Sequence, residues 1–111
     1  MNIEIGKRYF VNKEMVVTLA YNQEKEVLLV KETDGNLLFI LGEFAVNNSN
    51  IISINRMSYT VTEAEMLDCI NTYITNNNVE TTMETVANAV RNTYYQIPRY
   101  LAEVVAEWYM K

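Results

Sequence analysis

The hydrophobic period of this chain changes once, close to Tyr59. Before that point apolar residues recur at every second position, as in residues 15–21, which is the pattern of a β-strand. Beyond it they recur three and four positions apart, which is the spacing of one helix face. No single class of element accommodates both patterns. The sequence therefore predicts an α+β fold in which the strands come first and the helices follow.

The first half divides into short segments separated by turn residues. The predicted strands are residues 6–11, 15–21, 27–30 and 37–41, with a last strand that begins at residues 51–54. Asn12-Lys13 separates the first two, and Asp34-Gly35 is a strong hairpin signal because both positions can take positive φ. Residues 22–24 and 47–50 are polar and end the others. We predict an antiparallel β-meander of about five short strands, compatible with a curled sheet or a small SH3-like barrel.

Two capping-box motifs open helices in the second half. In Thr62-Glu63-Ala64-Glu65 the threonine caps the first free amides while Glu65 reaches back to the threonine amide. Thr81-Thr82-Met83-Glu84 repeats the motif, and Asn76-Asn77-Asn78 stops the helix between them. A last helical stretch runs nearly to Lys111. Three amphipathic helices are therefore predicted.

Both faces of the predicted strand at residues 37–41 are apolar. One of them is expected to carry the helices. The β-sheet lobe (residues 1–60) and the three-helix lobe (residues 61–111) are therefore predicted to share one core. A chain of 111 residues can bury such a core without disulfides or metals.

The net charge of −5 is unevenly distributed along the chain. Residues 1–60 have six basic and seven acidic side chains, a net −1, whereas residues 61–111 have three basic and seven acidic, a net −4. Nucleic-acid affinity comes largely from Lys and Arg that neutralise phosphates. The excess negative charge of the helical half therefore disfavours binding to nucleic acid and favours binding to a basic protein surface.

The sequence also carries expectations about location. Cys69 is the single cysteine, so no intramolecular disulfide can form. No apolar stretch approaches the roughly 18 residues of a membrane span, and the N-terminus lacks the apolar run of a signal peptide. The expected location is a reducing cytoplasm. The composition, rich in Asn, Ile and Tyr, resembles that of AT-rich genomes, so the expected cell is a low-GC bacterial host.

Catalytic side chains are scarce. The chain has no histidine, which removes the commonest general base and metal ligand. Cys69 has no base beside it in sequence and fits a small buried hydrophobe. Asp34-Gly35-Asn36 lacks the spaced ligands of a calcium loop. We predict that the protein is not an enzyme and binds no metal or cofactor.

Two carboxylate pairs are the remaining candidates for acid–base chemistry or ion binding. They are Glu63 with Glu65, and Glu103 with Glu107 beside Trp108. A buried member of the second pair would have a raised pKa. Because helix positions four apart share a face, the alternative is a solvated helix surface, and we favour it.

Residues 62–109 resemble a tri-helical helix-turn-helix domain of small bacterial and phage regulators. The resemblance is carried by residues 83–90, a break at Arg91-Asn92 and residues 93–101, with Ala87 as the small packing residue and Ile97 facing the core. It implies a DNA-binding regulator, and the residues that would lie in the major groove are Thr93, Tyr94, Gln96 and Arg99.

A second interpretation of the same residues divides them differently. Pro98 would interrupt a recognition helix, because proline removes a backbone hydrogen bond and clashes with the preceding turn. Proline is well placed at the start of a helix. The second helix then ends near residues 93–95 and the third begins at Pro98.

Aromatic residues crowd the C-terminus, and three helices cannot easily bury them all. Tyrosine and tryptophan are favoured at protein interfaces because they bring large area with few rotatable bonds. The predicted partner-binding residues are Tyr94, Tyr95, Arg99, Glu103, Glu107, Trp108 and Tyr109.

The favoured hypothesis is a non-catalytic protein-binding module. In size and charge the chain is similar to anti-CRISPR and other phage anti-defence proteins, which implies an inhibitor that occupies a basic, nucleic-acid-binding surface of a host protein. The alternatives are a helix-turn-helix transcriptional regulator, which would be a homodimer on DNA, and a structural subunit of a larger assembly. No membrane partner is expected.

Overall fold

The computed structural model describes residues 2–53 and 55–111. The strands are β1 (Arg8–Val11), β2 (Glu14–Asn22), β3 (Val27–Glu32), β4 (Leu37–Leu41), β5 (Ala45–Asn47), β6 (Asn50–Ile52) and β7 (Arg56–Met57). The helices are α1 (Glu63–Asn77), α2 (Met83–Thr93) and α3 (Arg99–Met110). The predicted α+β class, with strands before helices, is confirmed.

The strands form one sheet in the order β5-β6-β1-β2-β3-β4-β7. The meander from β1 to β4 is antiparallel, as predicted, and β7 continues it on β4. The β5–β6 hairpin returns to the other side, where β6 pairs with β1 in parallel. The described residues thus form seven strands, more than the five or so predicted, and the sheet does not close into a barrel.

The extra strands are short, which is why the hydrophobic pattern did not reveal them. Asn48 and Ser49 both take positive φ and make a tight turn inside the polar run that was predicted only to end a strand. The last strand predicted at residues 51–54 is β6, which ends at Ile52; Ile54 lies outside the described residues.

The Asp34-Gly35 hairpin forms with a different turn geometry. Only Gly35 has positive φ, at +91°, while its amide donates to the Glu32 carbonyl over 2.9 Å. The Asp34 carboxylate accepts from the Asn36 amide, also over 2.9 Å. Thr33 and Asp34 are therefore the central residues, and Gly35 follows them in the left-handed region. Asn12 and Lys13 both take positive φ, consistent with the tight turn predicted there.

Strand β3 is buried on both faces. Val27 and Leu29 pack with helical residues, whereas Leu28 and Val30 face the opposite side. There they join a second apolar cluster, formed by other strands of the sheet and by Phe44, which follows β4. Its other buried members are Tyr9, Val11, Val16, Ile40 and Ile51. The sheet must curl to enclose this cluster, and the guanidinium of Arg56 in β7 accordingly contacts the carboxamide of Asn12 in the β1–β2 turn.

The helices cover the other face of the sheet. Phe39 of β4 and Leu29 of β3 belong to the same buried cluster as residues of all three helices, such as Ile70, Val90 and Val105. A register shift in β2 between Thr18 and Ala20 lets that strand contribute to both clusters. Strands and helices therefore bury apolar surface in one common layer.

The first capping box forms as predicted. The Thr62 hydroxyl accepts from the Glu65 amide over 3.1 Å, and the Glu65 carboxylate accepts from the Thr62 amide over 3.0 Å. These hydrogen bonds hold the pKa of Glu65 below its usual value. Asn78 ends α1 in the left-handed conformation, at φ 50°, within the predicted asparagine stop.

The second capping box is shifted by one residue, so the predicted pairing of Thr81 with Glu84 is wrong. The N-cap of α2 is Thr82, whose hydroxyl accepts from the Thr85 amide over 3.1 Å. The Thr85 hydroxyl in turn accepts from the Thr82 amide over 2.8 Å and lies 2.6 Å from the Glu80 carbonyl. A threonine hydroxyl thus takes the role that the motif gives to a glutamate.

Because the cap is Thr82 and not Thr81, substitutions of these two adjacent threonines should have different effects on the free energy of unfolding. Thr82→Ala should lower the free energy of unfolding by about 1 kcal/mol, because it leaves an amide of the first turn without its cap. Thr81→Ala is the matched control and should change stability very little. Urea denaturation of the two variants tests this; equal losses, or a larger loss for Thr81→Ala, would contradict the observed cap.

Candidate functional site

The segment between α2 and α3 is a short ordered loop. Helix α2 continues through Arg91 and Asn92 to Thr93, and Tyr94 caps it by donating its amide to the Val90 carbonyl over 2.8 Å. Pro98 is the N-cap of α3. The second interpretation of this segment is therefore confirmed: the second helix ends near residues 93–95 and the third begins at the proline.

Arg91 holds this loop from within. Its Nε donates to the Ile97 carbonyl over 2.8 Å, and one terminal nitrogen donates to the Tyr95 carbonyl over 3.1 Å. Ile97 is fully buried and anchors the loop in the core. Tyr95, by contrast, is 72% exposed. The backbone of the loop is fixed at both carbonyls while the tyrosine ring projects into solvent.

Other tyrosines lie around Tyr95. Tyr59 and Tyr94 line a small recess with it, of about 160 Å³. Tyr59 stacks edge-on against the buried Phe39, with ring centroids 6.0 Å apart. Burial and the nearby Tyr100 raise the pKa of Tyr59. Three tyrosines from two parts of the chain therefore line this recess, and Tyr100 lies near enough to Tyr59 to affect its pKa.

A cleft opens beside Tyr94, between α1 and the C-terminal end of α2. It has a volume of about 380 Å³. The α1 side chains that line it recur at helical spacing and so share one face of the helix: Glu65, Asp68, Cys69, Thr72, Tyr73, Asn76 and Asn77. Asn92, Thr93 and Tyr94 close the other side.

The cleft is acidic. Between Arg56 and Arg91 the sequence contains no basic residue, and α1 carries both of the cleft carboxylates, Glu65 and Asp68. Neither of them forms an ion pair with any residue that the structure describes. We call Tyr59, Tyr94, Tyr95, Tyr100, Glu65 and Asp68 together the tyrosine–carboxylate surface.

Cys69 lies in the same cleft and is partly buried. Its thiol lies 3.4 Å from the Ala89 carbonyl, in position to donate to it. Burial raises the pKa of the Cys69 thiol, the adjacent Asp68 adds to the increase, and Thr93 partly offsets it. The side chain is thus a neutral thiol at neutral pH, without the positive neighbours that would make it nucleophilic.

The predicted partner-binding residues of α3 lie elsewhere and have partners within the chain. Glu103 pairs with Lys25 over 3.0 Å and with Arg99 over 3.4 Å. Glu107 accepts from the Asn22 side chain over 2.5 Å. Glu107 therefore ties α3 to the end of β2, and Glu103 ties it to the turn that follows.

The other predicted partner-binding residues do not all lie on one surface. Trp108 and Tyr109 pack against the common core, and the Tyr109 hydroxyl is hydrogen-bonded to Asn71 of α1. Of the seven partner-binding residues predicted, Tyr94 and Tyr95 alone belong to the tyrosine–carboxylate surface. Sequence reasoning missed Tyr59, Tyr100 and Asp68, and it named Glu65 only as a capping residue and in a carboxylate pair with Glu63. For the two carboxylates the available signal was a polar stripe on α1 beside its apolar face.

The residues predicted to read DNA are not on one helix. Thr93 ends α2, Tyr94 caps it, Gln96 lies in the loop and Arg99 begins α3. The Arg99 guanidinium donates to the Asn88 side chain over 2.6 Å. Ala87 and Ile97 are both fully buried.

Comparisons of the chain with protein-family models, with curated proteins and with solved structures found no match. Within residues 2–53 and 55–111, no three His, Cys, Asp or Glu side chains are grouped to hold a metal ion. None of the three helices is both long and apolar enough to cross a bilayer.

Arg91 offers a test of the loop geometry. Arg91→Ala should lower the free energy of unfolding by about 1 kcal/mol, since two carbonyls lose a charged donor. It should also speed limited proteolysis at residues 94–96. Arg91→Lys keeps the charge but not the two-pronged contact and should recover only part of both effects. Unchanged stability and cleavage in Arg91→Ala would show that the loop is held by other contacts.

Glu103 should contribute to the pH dependence of stability. The hydrogen bond from Lys25 is the main reason that its pKa lies below the usual value, and Arg99 adds to it. The unfolded chain therefore binds this proton at higher pH than the folded chain. The stabilisation is present above the ordinary glutamate pKa of about 4.3 and is lost as the pH falls below it, through the lowered pKa of the folded state.

Glu103→Gln should accordingly flatten the decline in the free energy of unfolding between about pH 6 and pH 3. Urea denaturation at several pH values in this range measures the slope. The double variant with Lys25→Met should show little further change, because both substitutions remove the same interaction. A slope identical to that of the unmodified protein would mean that the ion pair does not contribute.

Proposed function

We propose that this protein is a non-catalytic binding module that recognises a basic surface on another protein through its tyrosine–carboxylate surface. The observation that carries the proposal is the exposure of Tyr95, at 72%, on a loop that is fixed by Arg91. The preceding residue, Tyr94, lines the cleft that contains the carboxylates of Glu65 and Asp68. An exposed aromatic ring on an ordered backbone provides contact area without the entropic cost of ordering a loop.

Electrostatics supports a basic partner. The 34 residues between Arg56 and Arg91 contain five acidic side chains and no basic one. Glu63 is paired with Lys31 over 3.2 Å, whereas Glu65 and Asp68 remain available at the cleft. Charge complementarity speeds association and selects against acidic partners. A nucleic-acid-binding protein presents the positive groove that such a surface fits.

DNA binding has no comparable support. Arg91 and Arg99, two of the three basic residues beyond residue 60, donate to Tyr95, Ile97, Asn88 and Glu103 within the chain. Phosphate contacts need basic side chains directed outwards. An inhibitor from a phage or mobile element, acting on a host defence protein, is the specific form of the proposal that we favour, since it would mask a phosphate-binding groove.

The proposal is tested by capture and then with purified proteins. The full chain, used as bait in a nuclease-treated lysate of a low-GC Gram-positive bacterium, should recover a protein with a basic nucleic-acid-binding surface. Binding between the purified partners should weaken as salt rises. Nucleic acid should compete with the chain for the partner.

Variants of the chain locate the contact. Tyr95→Ser should weaken the purified complex by roughly tenfold or more, as for an interface hot spot. Phe10→Ser is the matched control, because Phe10 is an exposed aromatic residue on β1, away from this surface. Equal affinities of the unmodified chain and Tyr95→Ser would contradict the proposal, as would tight binding to a preferred DNA duplex in a gel shift with no basic protein recovered.

A further inference from the structure

We infer that the cleft between α1 and α2 binds one arginine side chain of the protein partner, with Asp68 and Glu65 as the anionic groups and the side chains of Tyr73 and Tyr94 beside it. This inference rests on the proposed function, and it names the chemical group that the cleft recognises.

The shape of the cleft supports a single inserted side chain. Its volume of about 380 Å³ lies at the small end of the range for ligand clefts. The α1 stripe and the end of α2 form its two sides, and Cys69 lies between the polar residues of the rim and the buried Ala89. A cleft of this volume has room for one long side chain.

The charges in the cleft select a cation. Glu65 uses one carboxylate oxygen to accept from the Thr62 amide, which fixes the side chain and leaves the second oxygen for a ligand. Burial raises the pKa of Tyr94, and Cys69, Glu65 and Asp68 add to the increase. The Tyr94 hydroxyl therefore lies in the field of both carboxylates. A positive group placed there would be attracted by both carboxylates at once.

The arrangement favours arginine over lysine. The hydrogen-bond acceptors of the cleft lie on both of its sides: the carboxylates are on α1 and the Thr93 hydroxyl is on α2. A guanidinium has five donors in a planar fork and stacks on aromatic rings, whereas an ammonium is a compact, strongly hydrated point charge. The tyrosines and the separated acceptors together match the planar group.

The inference is tested by titrating the ¹⁵N-labelled full chain with the capped peptide acetyl-Gly-Arg-Gly-amide and following backbone amides by NMR. The expected result is saturable shifts confined to the cleft, at Cys69, Thr93 and Tyr94. The lysine peptide should bind several-fold more weakly, and the peptide with citrulline, the neutral isostere of arginine, should not saturate. Asp68→Asn should weaken the arginine peptide by roughly three- to fivefold, as for a solvent-accessible ion pair.

Glu80→Gln is the matched control, because it removes one charge from an exposed glutamate outside the cleft; it should leave the peptide affinity unchanged. Equal binding of arginine and citrulline peptides, or equal weakening by Asp68→Asn and Glu80→Gln, would overturn the inference. If the cleft binds no arginine while Tyr95→Ser still loses the purified partner, the inference is wrong and the proposed function stands. Loss of partner binding in Asp68→Asn, with the cleft shifts reproduced in the complex, would support both.

Discussion

The double burial of β3 is the constraint on which the rest of this structure depends. Val27 and Leu29 face the helices while Leu28 and Val30 face the interior of the curled sheet, so both sides of the strand must be covered. The sheet covers one side by curling on itself, and the helices cover the other. Helix α3 contacts β2 and β3, and Glu107 and Glu103 fix it to the end of β2 and to the turn that follows.

This arrangement determines which acidic residues remain for a partner. The carboxylates of α3 hold the helix on the sheet, because Glu103 pairs with Lys25 and Glu107 accepts from Asn22. Among the described residues, Glu63 is the α1 carboxylate that forms an ion pair, with Lys31. Glu65 and Asp68 therefore carry negative charge that no ion pair among the described residues neutralises. The carboxylates of the two helices differ because the β2–β3 turn brings Lys25 to Glu103 of α3, not because the acidic residues differ in type.

The same reasoning explains why the tyrosines lie where they do. Trp108 and Tyr109 are near the end of α3, where they still meet the core and α1. Tyr95 lies in a loop whose inward-facing position is already filled by Ile97. The ring of Tyr95 lies outside the core, and Arg91 stabilises the backbone that presents it. Under the proposed function, Arg91 stabilises both the loop and the position of the ring that contacts the partner.

The sequence by itself determined the class of fold, the β1–β4 meander and the first capping box, because each follows from local periodicity or from hydrogen bonds among a few adjacent residues. The structure decided between the two interpretations of residues 91–98 and moved the second capping box from Thr81 to Thr82, although the hydrogen bonds involved are local. Only the tertiary structure decided the pairing of β6 with β1 and brought Tyr59 and Asp68 each beside Tyr94. The β6–β1 pairing and the placement of Tyr59 and Asp68 depend on contacts between residues far apart in the chain, which no local sequence pattern encodes.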